Sequence, residues 1–233
     1  MKKDLSNKWA FVTGSSRGIG QQIALGLARL GCNVIIHGRN IDNTQKTLEL
    51  LAQYPIKSAA VAGELDSAAS VTALISEVRN IQPNIDILYN NAAISCTSTP
   101  VFEFDMAVWE KVIQVNVLAL AQLCNAFGPG MKERNWGRIA NLSSGIADQP
   151  NLAPYSVSKA AVDKLTKDLA FEFKDTAVRI NCIDPGWIRT DLGGPDAWEA
   201  VESVLPGVMA PLIIADNGPN GEYFCAQDYK FFD

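Results

Sequence analysis

The segment from residue 9 to residue 30 constrains the fold of this chain more than any other. Residues 9–12 are an apolar run typical of a short buried strand, and residues 21–30 carry apolar side chains at helical spacing. Between them lies a glycine-rich turn, residues 13–20. A strand–turn–helix unit of this kind lets the backbone approach a pyrophosphate at a helix N-terminus. The segment therefore indicates a phosphate-binding cradle, with a tight turn that binds no ligand as the alternative.

The same turn also fits the G-x-S-x-G pattern, which is the nucleophile elbow of α/β-hydrolases. This alternative would make Ser16 a nucleophile, and it requires a histidine base late in the chain. The only histidine is His37, which follows the turn closely. The hydrolase interpretation is therefore excluded, and His37 is interpreted as a strand-end residue near a bound ligand rather than as a catalyst.

Strand and helix patterns alternate along the whole chain. The predicted strands span residues 9–12, 33–37, 59–63, 85–89, 138–143, 178–183 and 223–225. The predicted helices span residues 21–30, 44–54, 68–81, 106–131 and 155–173. This alternation is typical of βαβ units. We therefore expect an α/β fold in which residues 1–233 form a single Rossmann-type domain, a doubly wound parallel β-sheet with helices on both faces.

The composition bounds the function further. The chain has 233 residues, of which 48% are hydrophobic, enough for one substantial core. A net charge of −5 argues against a nucleic-acid partner. We expect that no apolar run approaches the length needed to span a membrane. The five cysteines are widely spaced, so we expect no metal site and mostly buried thiols. The N-terminus shows no apolar signal segment, which predicts a cytoplasmic protein.

Several residues with useful chemistry follow the ends of the predicted strands, where ligands bind in a parallel sheet. These residues are Gly14, Arg39, Asn91, Ser144, Pro185 and Gly186. The helix after Ser144 carries Tyr155 and Lys159, four residues apart and therefore on one helical face. An ammonium group beside a phenol favours the phenolate, so the pair is a candidate proton donor to an oxygen atom. Without the rest of the pattern, the same spacing would indicate only a solvated helix face.

The residues after the second predicted strand bear on the choice of dinucleotide. An enzyme that uses NAD usually has Asp or Glu there, whose carboxylate accepts hydrogen bonds from the ribose hydroxyls. This chain has Arg39 instead, and no carboxylate before Asp42. Arg39 offers a planar, permanently charged fork suited to a phosphate, and Arg17 is a second candidate for the same phosphate. The sequence therefore predicts NADP(H) rather than NAD(H).

Together these motifs resemble the short-chain dehydrogenase/reductase family over essentially the whole chain. The motifs that carry the resemblance are Thr13-Gly14-x-x-x-Gly18-Ile19-Gly20, Asn90-Asn91-Ala92, Asn116, Ser143-Ser144, Tyr155-x-x-x-Lys159 and Pro185-Gly186-x-x-x-Thr190. The resemblance implies hydride transfer between a nicotinamide and a carbonyl or alcohol carbon. It also implies a homo-dimer or homo-tetramer.

The resemblance assigns a role to each motif residue. Asn116, Ser144, Tyr155 and Lys159 would form a catalytic tetrad. Tyr155 would be the general acid or base, and Lys159 would lower its pKa and bind the nicotinamide ribose. Ser144 would donate a hydrogen bond to the substrate oxygen, and Asn116 would hold a water for proton relay. The implied cofactor-binding residues are Gly14, Ser16, Arg17, Gly18, Ile19, Gly20, Arg39, Glu64, Leu65, Asn91, Ala92, Tyr155, Lys159, Pro185, Gly186, Ile188 and Thr190.

Three features depart from the family pattern. Ala93 replaces a glycine that is usual there, which adds a methyl group beside the cofactor and the substrate entrance. Glu64 stands where Asp often contacts the adenine, which leaves that contact open. The segment between Ser144 and Tyr155 is shorter than usual, so Ser143 stays a second candidate for the catalytic hydroxyl.

Residues 192–206 form a short segment on the substrate side. Its large apolar residues are expected mostly to pack on the core, with some lining an apolar pocket: Leu192, Trp198, Val204 and Leu205. The C-terminal sequence resembles that of carbonyl reductases, which favours a free small ketone or aldehyde as substrate. A 3-oxoacyl thioester is the alternative substrate, and a non-catalytic cofactor-sensing protein is the minor alternative function.

Overall fold

The structure, a computed structural model, describes residues 4–146 and 148–231. Within these residues, seven strands form one parallel sheet in the order β3-β2-β1-β4-β5-β6-β7. The strands are β1 (Trp9–Val12), β2 (Asn33–Gly38), β3 (Ser58–Ala62), β4 (Ile87–Asn90), β5 (Gly137–Leu142), β6 (Val178–Asp184) and β7 (Tyr223–Cys225). The order reverses between β1 and β4, which is the doubly wound arrangement. The predicted fold class is therefore confirmed.

Helices cover both faces of the sheet. They are α1 (Gly18–Arg29), α2 (Gln45–Leu51), α3 (Ala68–Ile81), α4 (Met106–Ile113), α5 (Ala119–Glu133), α6 (Ala153–Glu172) and α7 (Ala210–Ile213), with a π-helical segment (Gln114–Leu118) between α4 and α5. Local chemistry sets where several of them begin. The Ser67 hydroxyl accepts the Ser70 N–H at the start of α3, and the Asp105 carboxylate caps α4 in the same way.

Two apolar cores lie on opposite faces of the sheet because successive strand residues point in opposite directions. In β1, Val12 packs in the core that includes side chains of α1, α2 and α7, whereas Phe11 packs in the core formed with α3, α5 and α6. Fully burying one such apolar side chain contributes roughly 1.5–3 kcal/mol. The two cores hold the strands in register and bring the carboxyl ends of β1, β4, β5 and β6 to one edge.

The helix predicted for residues 106–131 extends to residue 133 and contains the π-helical segment. On length and composition alone this stretch is long and apolar enough to cross a membrane, so the statement that no apolar run approaches that length is wrong. Its inner face is nevertheless part of the core, since Leu123, Phe127 and Met131 are buried against the sheet. A core helix passes the same test, so its apolar length is weak evidence for a membrane span.

Candidate active site

The glycine-rich turn after β1 is held by hydrogen bonds to β2. Gly14 has a φ of +62°, in the left-handed region that favours glycine. Its N–H donates to His37 Nδ1 at 3.0 Å, and the Ser15 N–H donates to the His37 carbonyl at 2.9 Å. The Ser15 hydroxyl donates to the Val12 carbonyl and accepts the His37 N–H. The protein's own hydrogen bonds therefore fix the path of the turn.

A second set of bonds ties the turn to the end of β4. The N–H groups of Asn91 and Ala92 both donate to the Thr13 hydroxyl at 3.0 Å. The Asn91 amide donates in return to the carbonyls of Thr13 and Gly14, at 2.9 and 3.0 Å. The structure thus brings three residues of the predicted site, Gly14, Asn91 and Ala92, into one cluster.

The N-terminus of α1 has the features of a phosphate cradle. Among the described residues no side chain caps it, so its first-turn N–H groups are available to an external acceptor. A Cβ on Gly20 would lie 2.3 Å from the Gly14 carbonyl oxygen, so only glycine allows this close approach. Gly18 faces Thr190, whose Cγ2 would be 3.5 Å from a Cβ at that position. These residues fit a dinucleotide pyrophosphate. The other predicted residues of the turn, both half-buried, are Ser16 and Ile19.

His37 is buried at the end of β2, and its ring joins two loops. Nδ1 accepts the Gly14 N–H, and Nε2 lies 3.0 Å from the Gly63 carbonyl oxygen. A neutral ring with its proton on Nε2 satisfies both contacts. Burial lowers the pKa of His37, which favours this neutral form. The position agrees with the interpretation of His37 as a strand-end residue beside the ligand site.

Tyr155 and Ser144 bring two hydroxyl groups together. Pro154 lies in the first turn of α6, a position that suits proline, and Tyr155 follows it on the buried face. The Ser144 side chain lies close enough to the Tyr155 hydroxyl to favour its ionised form. Burial raises the pKa of Tyr155 to about 12; Ser144 opposes this rise and the charge of Asp184 adds to it.

Lys159 lies beside Tyr155 on the same face of α6, as the spacing predicts. Its Nζ is 5.7 Å from the centre of the Tyr155 ring and donates to the Leu142 carbonyl at 2.7 Å. Desolvation of the phenol dominates its pKa here, and the lowering effect predicted for Lys159 stays a prediction. The same desolvation lowers the pKa of Lys159 to about 8.

Asn116 lies in the π-helical segment and links the loop after β4 to α6. Its Oδ1 accepts the Ile94 N–H, and its Nδ2 donates to the Ile94 carbonyl and to the Ser158 hydroxyl, each at 2.9 Å. Both amide protons are therefore engaged, and the side chain acts as a brace. π-helical turns are common at functional sites, which fits the position of this residue.

The two serines after β5 have different partners. Ser143 is buried, and its hydroxyl donates to the Asp163 carboxylate at 2.5 Å. Its N–H donates to the Ile183 carbonyl at 2.8 Å. Ser144 is half-buried, and its side chain acts on the Tyr155 hydroxyl instead. Of the two candidates, Ser144 is therefore the one placed beside the tyrosine.

The segment after β6 closes the site on the far side. Its residues from the predicted site are Pro185, Gly186, Ile188 and Thr190. The Asp184 carboxylate accepts the Gly186 N–H at 2.9 Å, and the Gln227 amide donates to the Pro185 carbonyl at 2.6 Å. The Thr190 hydroxyl accepts the Gly193 N–H at 3.1 Å. The segment is therefore ordered by its own contacts and lies against the glycine-rich turn at Gly18.

The two arginines predicted to bind a phosphate differ in their surroundings. Arg17 pairs with Asp191 at 2.6 Å, with both side chains largely exposed. Arg39 is exposed, and no hydrogen bond or ion pair joins its side chain to another residue of the described chain. After β3, Glu64 is exposed and Leu65 is buried. The adenine contact of Glu64 stays a prediction.

Two exposed tryptophans lie on the predicted substrate side. Trp198 was expected there from the sequence, and Trp187 was not. The ring of Trp187 lies 5.4 Å from that of Trp198 in an edge-to-face arrangement, and Trp198 is 79% exposed. Leu192 is also exposed, whereas Val204 is buried and Leu205 packs against the core. The segment thus divides into an exposed aromatic part and a part that belongs to the core.

Some residues of the site escaped the sequence analysis. They are Ser158, Asp163, Asp184 and Trp187. For Asp163 a local signal exists, because it lies one helical turn beyond Lys159. Within residues 4–146 and 148–231, no group of three or more His, Cys, Asp or Glu side chains could hold a metal ion.

A glycine-rich turn at a helix N-terminus, with a buried tyrosine and lysine at the same sheet edge, is the arrangement expected of an oxidoreductase that works with a nicotinamide cofactor. Residues 8–199 match the short chain dehydrogenase family. This chain therefore belongs to that family, whose members interconvert CH–OH and C=O groups.

Relatives and solved structures agree with this assignment. A protein called dehydrogenase/reductase SDR family member 4, from Sus scrofa, is 35% identical over 192 residues, which cover 82% of this chain and 69% of the relative. A 3alpha-hydroxysteroid dehydrogenase from Mediterraneibacter gnavus is 36% identical over 215 residues, covering 90% and 82%. The structure of a 3-oxoacyl (acyl-carrier-protein) reductase from Agrobacterium tumefaciens, with NADP bound, has a TM-score of 0.86 at 25% identity, covering 95% and 93%.

Proposed function

We propose that this protein is an NADP(H)-dependent oxidoreductase that interconverts a small carbonyl compound and its alcohol. The observation that carries the proposal is the placement of Tyr155, Lys159 and Ser144, whose side chain acts on the Tyr155 hydroxyl, at the sheet edge where the phosphate cradle lies. The cofactor, when bound, supplies or accepts a hydride. The glycine-rich turn and the N-terminus of α1 would hold its phosphates, and Lys159 its nicotinamide ribose.

In the reductive direction, Tyr155 donates a proton to the substrate oxygen. With a pKa of about 12 the phenol keeps its proton at neutral pH, so the proton is available. The Ser144 hydroxyl donates a hydrogen bond to the same oxygen as negative charge develops. Lys159, with a pKa of about 8, is still mostly charged at neutral pH and stabilises the phenolate that remains.

Asn116 contributes by holding the wall of the site. Its two hydrogen bonds with Ile94 and its bond to Ser158 fix the loop after β4 against α6. The second lone pair of Oδ1 is left for a water that would relay protons, which is the role that the family resemblance implies. Loss of Asn116 would therefore disturb both the shape of the site and proton transfer.

The preference for NADP(H) is supported by the charges around the cradle. Arg39 follows β2 with an exposed guanidinium group, and the ion pair of Arg17 with Asp191 uses only its Nε, which leaves other donors for a phosphate. A similar solved structure carries NADP. We assign Glu64 and Leu65 to the adenine side of the same site.

We also propose that the protein is a cytoplasmic homo-oligomer whose single domain spans residues 1–233. Large apolar side chains on the surface before and along α4 and the π-helical segment support self-association: Phe102 is 100%, Met106 64% and Leu118 52% exposed. Neither a nucleic acid nor a membrane is part of the proposal.

The alternative substrate is a 3-oxoacyl thioester, which the similar 3-oxoacyl reductase structure favours. NADPH oxidation, followed across a panel of ketones, aldehydes and 3-oxoacyl thioesters, separates the two. We expect the highest kcat/KM with a free carbonyl compound. Preference for the thioesters would establish the alternative, and cofactor binding without turnover on any member of the panel would support a cofactor-sensing protein.

The serine assignment has its own test. Ser144→Ala should reduce kcat by about 10²-fold or more, as expected for a lost donor to a developing oxyanion. Ser143→Ala is the matched control, and its kcat at pH 7 should stay within about a factor of three of the wild type, because Ser143 bonds to Asp163. The reverse ranking would show that Ser143 is the catalytic hydroxyl.

A further inference from the structure

The hydrogen-bonded pair Ser143–Asp163 has no role in the proposed reaction. It lies beside the face of α6 that carries Tyr155 and Lys159. Asp163 is four residues after Lys159 on α6, which places the two side chains on neighbouring turns of one face. The Ser143 hydroxyl, at the end of β5, donates to the Asp163 carboxylate at 2.5 Å. Ser143 is buried and Asp163 is half-buried, so this part-buried bond holds the carboxylate on the side of the site.

Lys159 needs a compensating charge where it lies. Its side chain is 3% exposed, and Nζ donates to the Leu142 carbonyl. No carboxylate within residues 4–146 or 148–231 lies within 4.0 Å of its Nζ. Burying an ammonium group without a nearby opposite charge is costly, and the group tends to lose its proton instead. Loss of that proton would remove the charge that stabilises the Tyr155 phenolate.

The groups that face Lys159 can be named element by element. Asp163 and Tyr155 lie on α6, Cys182 lies on β6, and Asp184 ends β6. Burial raises the pKa of the Cys182 thiol to about 12, so this group is uncharged at neutral pH. Asp184 is engaged by the Gly186 N–H. Of the charges that oppose the fall in the pKa of Lys159, Asp163 has the largest effect.

We propose that Asp163, held in place by Ser143, is a positioning residue that keeps Lys159 protonated in the closed environment of the site. The inference rests on the proposed function, in which Lys159 must be charged. In this proposal Ser143 and Ser144 have different roles. Ser144 acts on the substrate oxygen, and Ser143 acts through Asp163 on the lysine.

The test is a direct titration of Lys159 by NMR in protein labelled with 13C at lysine Cε. The Lys159 signal is assigned by its absence in Lys159→Arg. Asp163→Asn keeps the shape and the acceptor for Ser143 but removes the charge, so the Lys159 midpoint should fall by about one pH unit. Asp168→Asn, the same change on an exposed part of α6 where the partner is Lys164, is the matched control and should leave the midpoint unchanged.

A kinetic profile provides the second readout. Removing the carboxylate lowers the pKa of Lys159, so the alkaline limb of reductive kcat/KM should move toward acid by the same amount, while activity near pH 6 is nearly retained. Ser143→Ala frees the carboxylate to turn to solvent and should move both the midpoint and the limb in the same direction, but less. This second variant keeps the test valid if Asp163→Asn does not fold.

The outcomes separate the two proposals. A Lys159 midpoint that is unchanged in folded Asp163→Asn, or in Ser143→Ala if the former does not fold, overturns the role of Asp163, whatever the activity. A shifted midpoint supports it even if no carbonyl compound is reduced, a result that would instead count against the proposed function. A shifted midpoint with an unshifted kinetic limb shows that Lys159 is not the group on which turnover depends and also overturns the inference.

Discussion

The glycine-rich turn (residues 13–20) and the substrate segment (residues 187–205) face each other across the site but are built differently. The turn is bonded to two strands of the sheet, through His37 of β2 and Asn91 after β4. The substrate segment is bonded mainly to itself, with the Arg189 N–H donating to the Glu199 carbonyl and the Arg189 guanidinium donating to the Trp198 carbonyl. Its large aromatic side chains remain exposed.

From this difference we expect the glycine-rich turn to determine cofactor binding and the substrate segment to determine substrate selectivity. A turn bonded to neighbouring strands can change little without disturbing the sheet, so the cofactor geometry is set by the fold. The exposed part of the substrate segment, outside the core residues Val204 and Leu205, can change its side chains without disturbing the sheet. We therefore expect substitutions in the turn to affect binding of the dinucleotide, and substitutions in the exposed part of the segment to affect only the substrate.

The largest effect is expected at Tyr155, which lies between the two regions. Tyr155→Phe keeps the packing of the ring and removes the acidic hydroxyl, so kcat should fall by about 10²–10⁴. Cofactor affinity, measured by fluorescence titration with NADPH, should change little. Retention of more than about a tenth of wild-type kcat would contradict the role of Tyr155 as general acid.

The next effect is expected from closing the glycine-rich turn. In Gly20→Ala the new methyl group would meet the Gly14 carbonyl oxygen at 2.3 Å and Asn91 Nδ2 at 2.5 Å. Backbone must move, which costs about 1–3 kcal/mol or more and should weaken dinucleotide binding by at least about tenfold. Gly63→Ala is the matched control, because its nearest neighbour, a Leu74 side-chain atom, lies at 3.6 Å. Equal dinucleotide Kd values for the two variants would refute the cradle.

The cofactor preference should respond to the charge after β2. Charge-assisted hydrogen bonds contribute roughly 1.5–3 kcal/mol, so Arg39→Asp should weaken NADPH by about tenfold or more and shift preference toward NADH. The measurement is kcat/KM with both cofactors. Arg29→Asp makes the same change of charge at the C-terminal end of α1, about 16 Å along the helix from the glycine-rich turn. It controls for the general electrostatic effect of the substitution. A wild type that prefers NADH would show that the phosphate assignment is wrong.

The smallest effect is expected in the exposed part of the substrate segment. Trp198→Ala should raise KM for an apolar carbonyl substrate by about two- to fivefold, with kcat and NADPH affinity unchanged, in line with the modest energy of an aromatic contact. In the same segment Val204 is buried, so Val204→Ala should instead lower stability, by about 1–3 kcal/mol in urea unfolding. A change in NADPH affinity in Trp198→Ala would show that the two regions are not separate.

Much of this architecture could be predicted because its signals are local. The strand–turn–helix pattern at residues 9–30, the alternation that follows and the four-residue spacing of Tyr155 and Lys159 each lie within a few turns of the chain. Backbone periodicity then dictates which side chains share a face. The edge at which Gly14, Asn91, Ser144 and Gly186 meet follows from a parallel sheet, in which all strands end on the same side.

The tertiary structure decided two kinds of feature. One is the pairing of side chains that are distant in the sequence, and the other is the pKa of groups from which folding removes water. The choice between Ser143 and Ser144 depends on which hydroxyl reaches Tyr155 and which reaches Asp163, 20 residues away. The pairing of Arg17 with Asp191 spans 174 residues. The pKa of Tyr155 rises although a lysine lies beside it, because burial removes the water that would solvate a phenolate. A local pattern of residue types identifies which side chains share a face, but the fold sets their distant partners, and the water that folding excludes sets their protonation.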